Sequence, residues 1–283
     1  MIKYHIMKYL KFSSIVLMCT LITFLFSCNP PAPKTAKKLR EKNNYIVLLD
    51  LSDRIIVQPN QLERDKEIIQ HIYNLFERNV KENLYIKSRD EIKIVIAPQR
   101  GSNLTTEVFE DRLYINMDNI NLVHRKSKEE ERKLHYMANL DTLYDKAMFS
   151  NNPQDYYGAD IWKYFYEDLA YDYASDTLTK NYLFILTDGY PIVGKNINKL
   201  QAINTKFPDL HVVLIEAAPR DKDLEWDRIM DLWGEWFDEI NVPEYTIIKR
   251  KAISKEKEMI DDIVSQDKTD VADSGQNSKV IGS

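Results

Sequence analysis

Two unbroken apolar runs, each ending in an aspartate, do most to limit what this chain can fold into. They read Tyr45-Ile46-Val47-Leu48-Leu49-Asp50-Leu51-Ser52 and Tyr182-Leu183-Phe184-Ile185-Leu186-Thr187-Asp188-Gly189. Consecutive apolar residues without alternation read as strands buried on both faces, the condition of a parallel sheet covered by helices. In such sheets functional groups collect beyond the carboxyl ends of the strands. Two carboxylates placed there repel each other unless a cation or a proton lies between them. Asp50 and Asp188 are therefore the first candidate site.

The amino terminus reads as a targeting segment. Lys3, Lys8 and Lys11 form a basic leader, and the apolar stretch Phe12 to Phe26 closes on Ser27-Cys28 before Asn29-Pro30-Pro31-Ala32-Pro33. This stretch is shorter than the roughly 20 residues needed to span a bilayer. A small residue followed by cysteine at its end resembles a bacterial lipoprotein signal. The resemblance implies removal of residues 1–27, lipid attachment to Cys28, and, with Asn29 next, the outer membrane of a bacterial envelope. An uncleaved anchor and plain secretion are the alternatives.

On that reading Cys19 leaves with the signal and Cys28 carries lipid, which excludes thiol catalysis, disulfides and cysteine metal sites. The whole chain has a formal charge of −5, and loss of the three leader lysines makes it −8. Without a basic stripe it is a poor nucleic-acid binder. Residues 28–44, rich in proline and lysine, read as a tether. Residues 265–283, polar throughout, read as a disordered tail. Residues 45–264 remain, enough for one α/β domain.

Within that body, strands are expected at 45–51, 92–97, 182–188, 210–217 and 245–248, with Leu113-Tyr114-Ile115 as a short edge strand. Helices are expected at 61–85, 126–149, 160–173, 196–205, 224–237 and 255–264. The alternation predicts a Rossmann-like, doubly wound, mostly parallel sheet with helices on both faces.

Asp50-Leu51-Ser52-Asp53-Arg54 after the first strand and Thr187-Asp188-Gly189 after a later one resemble the von Willebrand factor A (VWA) domain, as does the order of elements. That family carries a divalent ion above the sheet, in a metal-ion-dependent adhesion site. The resemblance implies Asp50, Ser52 and Asp188 as ligands; Asp160, next to the lost threonine position, is a candidate further oxygen donor. Two family positions depart: Arg54 replaces the last serine of the first motif, and Ala159, in Gly158-Ala159-Asp160-Ile161, replaces the threonine. Two outcomes stay open. Mg²⁺ (or Mn²⁺ or Ca²⁺) binds weakly through the remaining oxygens and water. Alternatively, the Arg54 guanidinium pairs with Asp50 or Asp188 and takes the metal's place.

Each piece also has a plainer reading as turn or cap chemistry. Trp226, Trp233 and Phe237 share a helix face, which reads as core. His71, His124, His135 and His211 lack ligand spacing. No phosphate-binding glycine loop or nucleophile elbow occurs, so no small-molecule cofactor is implied. The expected function is non-enzymatic: a lipid-anchored binding module docking an envelope or surface protein through the loops above Asp50, Ala159 and Asp188. A structural lipoprotein of an envelope or transfer assembly is the alternative, with a metal-dependent hydrolase behind it.

Overall fold

The computed structural model describes residues 41–99, 104–148, 154, 156, 158–190, 203–218 and 222–266. Six strands, β1 (Lys42–Leu49), β2 (Glu91–Ile96), β3 (Tyr114–Asn116), β4 (Thr179–Leu186), β5 (Leu210–Ala217) and β6 (Glu244–Lys249), form one sheet in the order β3-β2-β1-β4-β5-β6. All neighbours pair parallel except β3, which lies antiparallel along β2 at the edge. The chain is thus a Rossmann-like, mostly parallel α/β sheet.

The lack of alternation in the strands has its explanation in two apolar layers. Tyr45, Val47 and Leu49 of β1 pack on one side with Tyr182, Phe184 and Leu186 of β4. Ile46 and Leu48 pack on the other with Leu183 and Ile185. The first layer is covered by α2 (Gln61–Glu82), α4 (Arg125–Ala147) and α8 (Ile253–Gln266), the second by α5 (Ile161–Glu167) and α7 (Lys222–Glu239). Tyr45 and Tyr182, opposite each other in register, stack with ring centroids 5.5 Å apart. Below them the buried Asn44 Nδ2 donates to Asn181 Oδ1 at 2.8 Å. A polar pair in an apolar wall fixes register, since a slip of one residue would strand both amides.

Several boundaries differ from the sequence expectation. Strand β1 begins at Lys42, inside the segment read as tether, because Asn43 is held by Asp90: its backbone N–H and Nδ2 donate to Asp90 Oδ1 at 2.8 and 3.0 Å. Helix α2 stops at Glu82 rather than Tyr85, because Leu84 and Tyr85 turn left-handed, with φ of 51° and 57°. The helix expected over 160–173 is two pieces, α5 and α6 (Leu169–Asp172), interrupted at Asp168. Two short helices were not expected, α1 (Arg54–Val57) and α3 (Glu107–Arg112). Of the helix expected over 196–205, residues 196–202 lie outside the described residues, and Ile203 to Thr205 are not helical. The leader, Cys28 and most of the tail also lie outside. No helix among the described residues is long and apolar enough to cross a membrane.

Candidate functional site

The direction of winding reverses between β1 and β4, so the crevice at their carboxyl ends is the topological switch point where open α/β sheets place ligands. Both aspartates lie there. The Asp50 N–H extends the ladder by donating to Leu186 O at 3.0 Å. Its carboxylate is only 2% exposed; Oδ1 accepts from the Ser52 N–H and Oδ2 from the Thr187 hydroxyl, each at 2.9 Å. Thr187, fully buried, therefore bridges the two strand ends. It also accepts from the Gly189 N–H at 3.2 Å.

Asp188 faces the loop that follows it. Its Oδ1 accepts from the Tyr190 N–H at 3.3 Å, and its carbonyl from the Ala218 N–H at 3.1 Å. The turn needs glycine next: Gly189 has φ +108°, and a Cβ there would meet Ile229 Cγ2 at 3.3 Å. The Gly189 carbonyl accepts from the Trp233 indole N–H at 2.8 Å. Trp233 is a core residue, as expected from its helix face, and it also fixes the site loop.

Arg54 lies beside Asp50, one of the two outcomes the sequence left open, but its fork pairs with a different carboxylate. Its Nε approaches Asp50 Oδ2 to 3.8 Å but donates to the Asp50 carbonyl at 2.8 Å. The planar end of its guanidinium goes elsewhere, donating from its two terminal nitrogens to Asp65 Oδ1 at 3.2 Å and Oδ2 at 2.7 Å. Asp65 was missed in the sequence. It also accepts from Gln61 Nε2 at 2.7 Å and the Tyr144 hydroxyl at 2.9 Å. Arg54 and Asp65 are both 0% exposed. Burial works against the arginine's charge, but Asp65 and then Asp50 outweigh it and raise its pKa. Arg54 is thus a permanent buried cation beside Asp50, closed off from any outside partner.

Asp160 supplies its oxygen to a helix rather than to the crevice. Its Oδ1 accepts from the Lys163 N–H at 2.8 Å, the N-cap of α5. Burial raises its carboxyl above the usual range, and the Lys163 N–H offsets only part of that. Ala159 is pinned by a bridge to Gln99, and the Asp160 N–H donates to Pro98 O at 2.8 Å. No group of three or more His, Cys, Asp or Glu among the described residues is placed to share a metal ion. Both Asp50 oxygens accept hydrogen bonds, Asp160 is a cap, Ala159 has no side-chain oxygen, and a guanidinium lies 3.8 Å from Asp50. Each of these features weakens the crevice as a site for a divalent ion, leaving the Ser52 hydroxyl and Asp188 as its remaining side-chain oxygens.

Two further features escaped the sequence reading. Beyond β5 and β6, Arg64 reaches from α2 to two fully buried carboxylates, donating to Glu216 Oε1 at 2.8 Å and Glu256 Oε2 at 2.9 Å. Arg250 approaches Glu216 Oε2 to 3.6 Å and donates to Gln58 and Gln61. Gln61, between Asp65 and Glu216, joins this cluster to the Arg54 clamp. Burial and a hydrogen bond shared with Glu216 push Glu256 up to about 8. Burial alone would raise Glu216 too, but its bonds with Arg64 and Glu256 lower it. Of the two, Glu256 is the one pushed toward its protonated form. The second feature is a cleft of about 520 Å³ at the β2 edge, lined by Glu107, Glu110, Asp111, Asp168 and Asp172, with Lys93 held by Asp172 at 2.5 Å. Acidic residues drawn from segments distant in sequence give no local motif, which is why neither feature was legible.

These features define a doubly wound α/β domain whose switch-point crevice is built around a buried arginine. No family model and no curated protein matches the chain. Among the solved structures similar to it are two from Bacteroides. One is a conserved hypothetical protein, BatB, from Bacteroides thetaiotaomicron: 12% identity, TM-score 0.39, covering 81% of this chain and 99% of that one. The other is an aerotolerance-related membrane protein from Bacteroides fragilis carrying multiple mutations to serine: 12% identity, TM-score 0.38, covering 80% and 99%. The fold assignment rests on strand order and register.

Proposed function

We propose that this chain is a lipid-anchored binding module of the bacterial cell envelope, with a VWA-like domain that docks a protein partner through the loops after β1 and β4 and needs no metal to do so. The observation that carries this reading is the Arg54–Asp65 clamp beside Asp50. In the resembled family a metal ion neutralises the carboxylates at this crevice; here a guanidinium lies against Asp50 instead. The turn from Thr187 to Tyr190 is then held in place by Thr187 and Trp233.

In vivo photo-crosslinking from Tyr190, which is half-buried on the loop after Asp188, tests it. The expected result is a discrete protein adduct that survives a divalent chelator and weakens in Asp188→Ala without loss of helical signal. An adduct abolished by chelation would restore the metal. Absence of any adduct, with the domain folded, would remove the docking role.

A further inference from the structure

The opposite end of the sheet carries an exposed apolar corner. The described residues include nine exposed large hydrophobic side chains, and four lie here: Leu84 at 62%, Ile86 at 55%, Leu122 at 53% and Val123 at 85% exposure. Leu84 and Ile86 occupy the loop from α2 into β2, and Leu122 and Val123 a 3₁₀ turn between β3 and α4. Since β2 runs parallel to β1 and β3 returns antiparallel, both segments lie at the amino edge of the sheet.

One buried side chain joins them. Arg125 donates from Nε to Ile120 O at 3.1 Å, and from one terminal nitrogen to Ile86 O at 3.2 Å and Ser88 O at 2.6 Å. Four carbonyls, counting Tyr85 O at 3.3 Å, thus converge on a single guanidinium. The two apolar tips are held together as one rigid corner. Exposed Lys87 and Lys126 belong to the same segments.

The chain leaves the domain at this edge. Strand β1 begins at Lys42, and Asn43 bonds Asp90, two residues from Ser88 at the foot of the same loop. Thirteen residues, 29–41, separate β1 from Cys28. A segment of that length spans at most about 45 Å at full stretch. A lipid on Cys28 therefore attaches the domain at its amino edge, the end of the sheet opposite the Asp50–Asp188 crevice.

The geometry points to a membrane-resting face: the corner formed by Leu84, Ile86, Leu122 and Val123 docks into the headgroup region of the membrane that holds the anchor. The proposal rests on the lipid-anchor part of the function proposed above. Apolar tips bury area in the interface while lysines meet anionic headgroups, the two contributions that bind surface segments to bilayers. A short tether keeps the face at high local concentration, so weak contacts suffice to orient the domain. The crevice after β1 and β4 then points away from the bilayer, toward partners.

The test uses the full chain, expressed and processed in bacterial cells and reconstituted into vesicles of phosphatidylethanolamine and phosphatidylglycerol. An environment-sensitive fluorophore is placed through Val123→Cys or Leu84→Cys, with Tyr171→Cys, 87% exposed, as the control. Lipid-borne nitroxide should quench the first two labels several-fold more than the third, and Leu84→Ser combined with Val123→Ser should reduce quenching of a label at Ile86. Equal weak quenching at all three positions, in protein that still floats with the vesicles, overturns the docked face and leaves the anchor standing. Labels shielded only in native envelopes, and unquenched by lipid, would assign the corner to a protein and overturn the proposal. A chain that does not float with vesicles removes the anchor and the proposal together.

Discussion

At the scale of single residues, the buried pair Arg54–Asp65 dominates. An ion pair with no exposure has lost its water, and only its own geometry offsets that loss. Removing one member leaves an uncompensated charge in the core. We predict that Asp65→Ala destabilises the domain by about 3–5 kcal/mol in denaturant titration. The double replacement Arg54→Met with Asp65→Leu should cost clearly less than Asp65→Ala alone; an equal or greater loss would mean the pair is net stabilising. Asp65 was readable in principle. It falls on the apolar stripe of its helix, with Ile68, Ile69, Ile72 and Phe76, where a carboxylate requires a buried donor or cation. Arg54 was noticed, but as a neighbour of Asp50. Sequence shows that a cation is near; it does not show which of several carboxylates its planar fork will meet.

Among elements, the informative junction is where α2, β5, β6 and α8 meet. Glu216 sits in a left-handed conformation, φ 69°, at an irregularity in the β5–β6 ladder, and so turns its carboxylate under α2. Glu256 on α8 shares a hydrogen bond with it, while Arg64, Arg250, Gln61 and the Lys251 N–H face the pair from α2 and the end of β6. Glu256 is raised to about 8, so over the interval from the ordinary glutamate value to about 8 the folded chain holds one more proton than the unfolded chain. Folding stability from this group is therefore complete at low pH and lost as pH rises through that interval. The unfolding midpoint of the parent should fall more steeply than that of Glu256→Gln between about pH 5 and about pH 8. Parallel pH profiles would show that the proton is not held there. The strands of this junction were legible as apolar runs. The contact was not, because it links positions 64, 216 and 256 through a bulge that no local pattern announces.

For the whole molecule, strand order decides where chemistry can occur. Doubly buried runs and strand–helix alternation were enough to give the six strands, their mostly parallel pairing and the crevice holding Asp50 and Asp188. Short helices, the break at Asp168 and the left-handed exit from α2 depend on tertiary contacts and were not readable. The donor set at the crevice leads to a prediction for the intact domain. A ligand that binds only the folded state raises the unfolding midpoint. The midpoint should therefore be the same in chelator and in excess Mg²⁺, Mn²⁺ or Ca²⁺; a metal-dependent rise would show that Asp188 and Ser52 recruit an ion despite Arg54.

The bond from the Trp233 indole to the Gly189 carbonyl carries a practical consequence. It couples a natural fluorophore in the core directly to the loop beyond β4. Anything that moves that loop alters the polarity around the indole and shifts its emission. The protein thus reports on its own crevice optically, with Trp233→Phe as the blank.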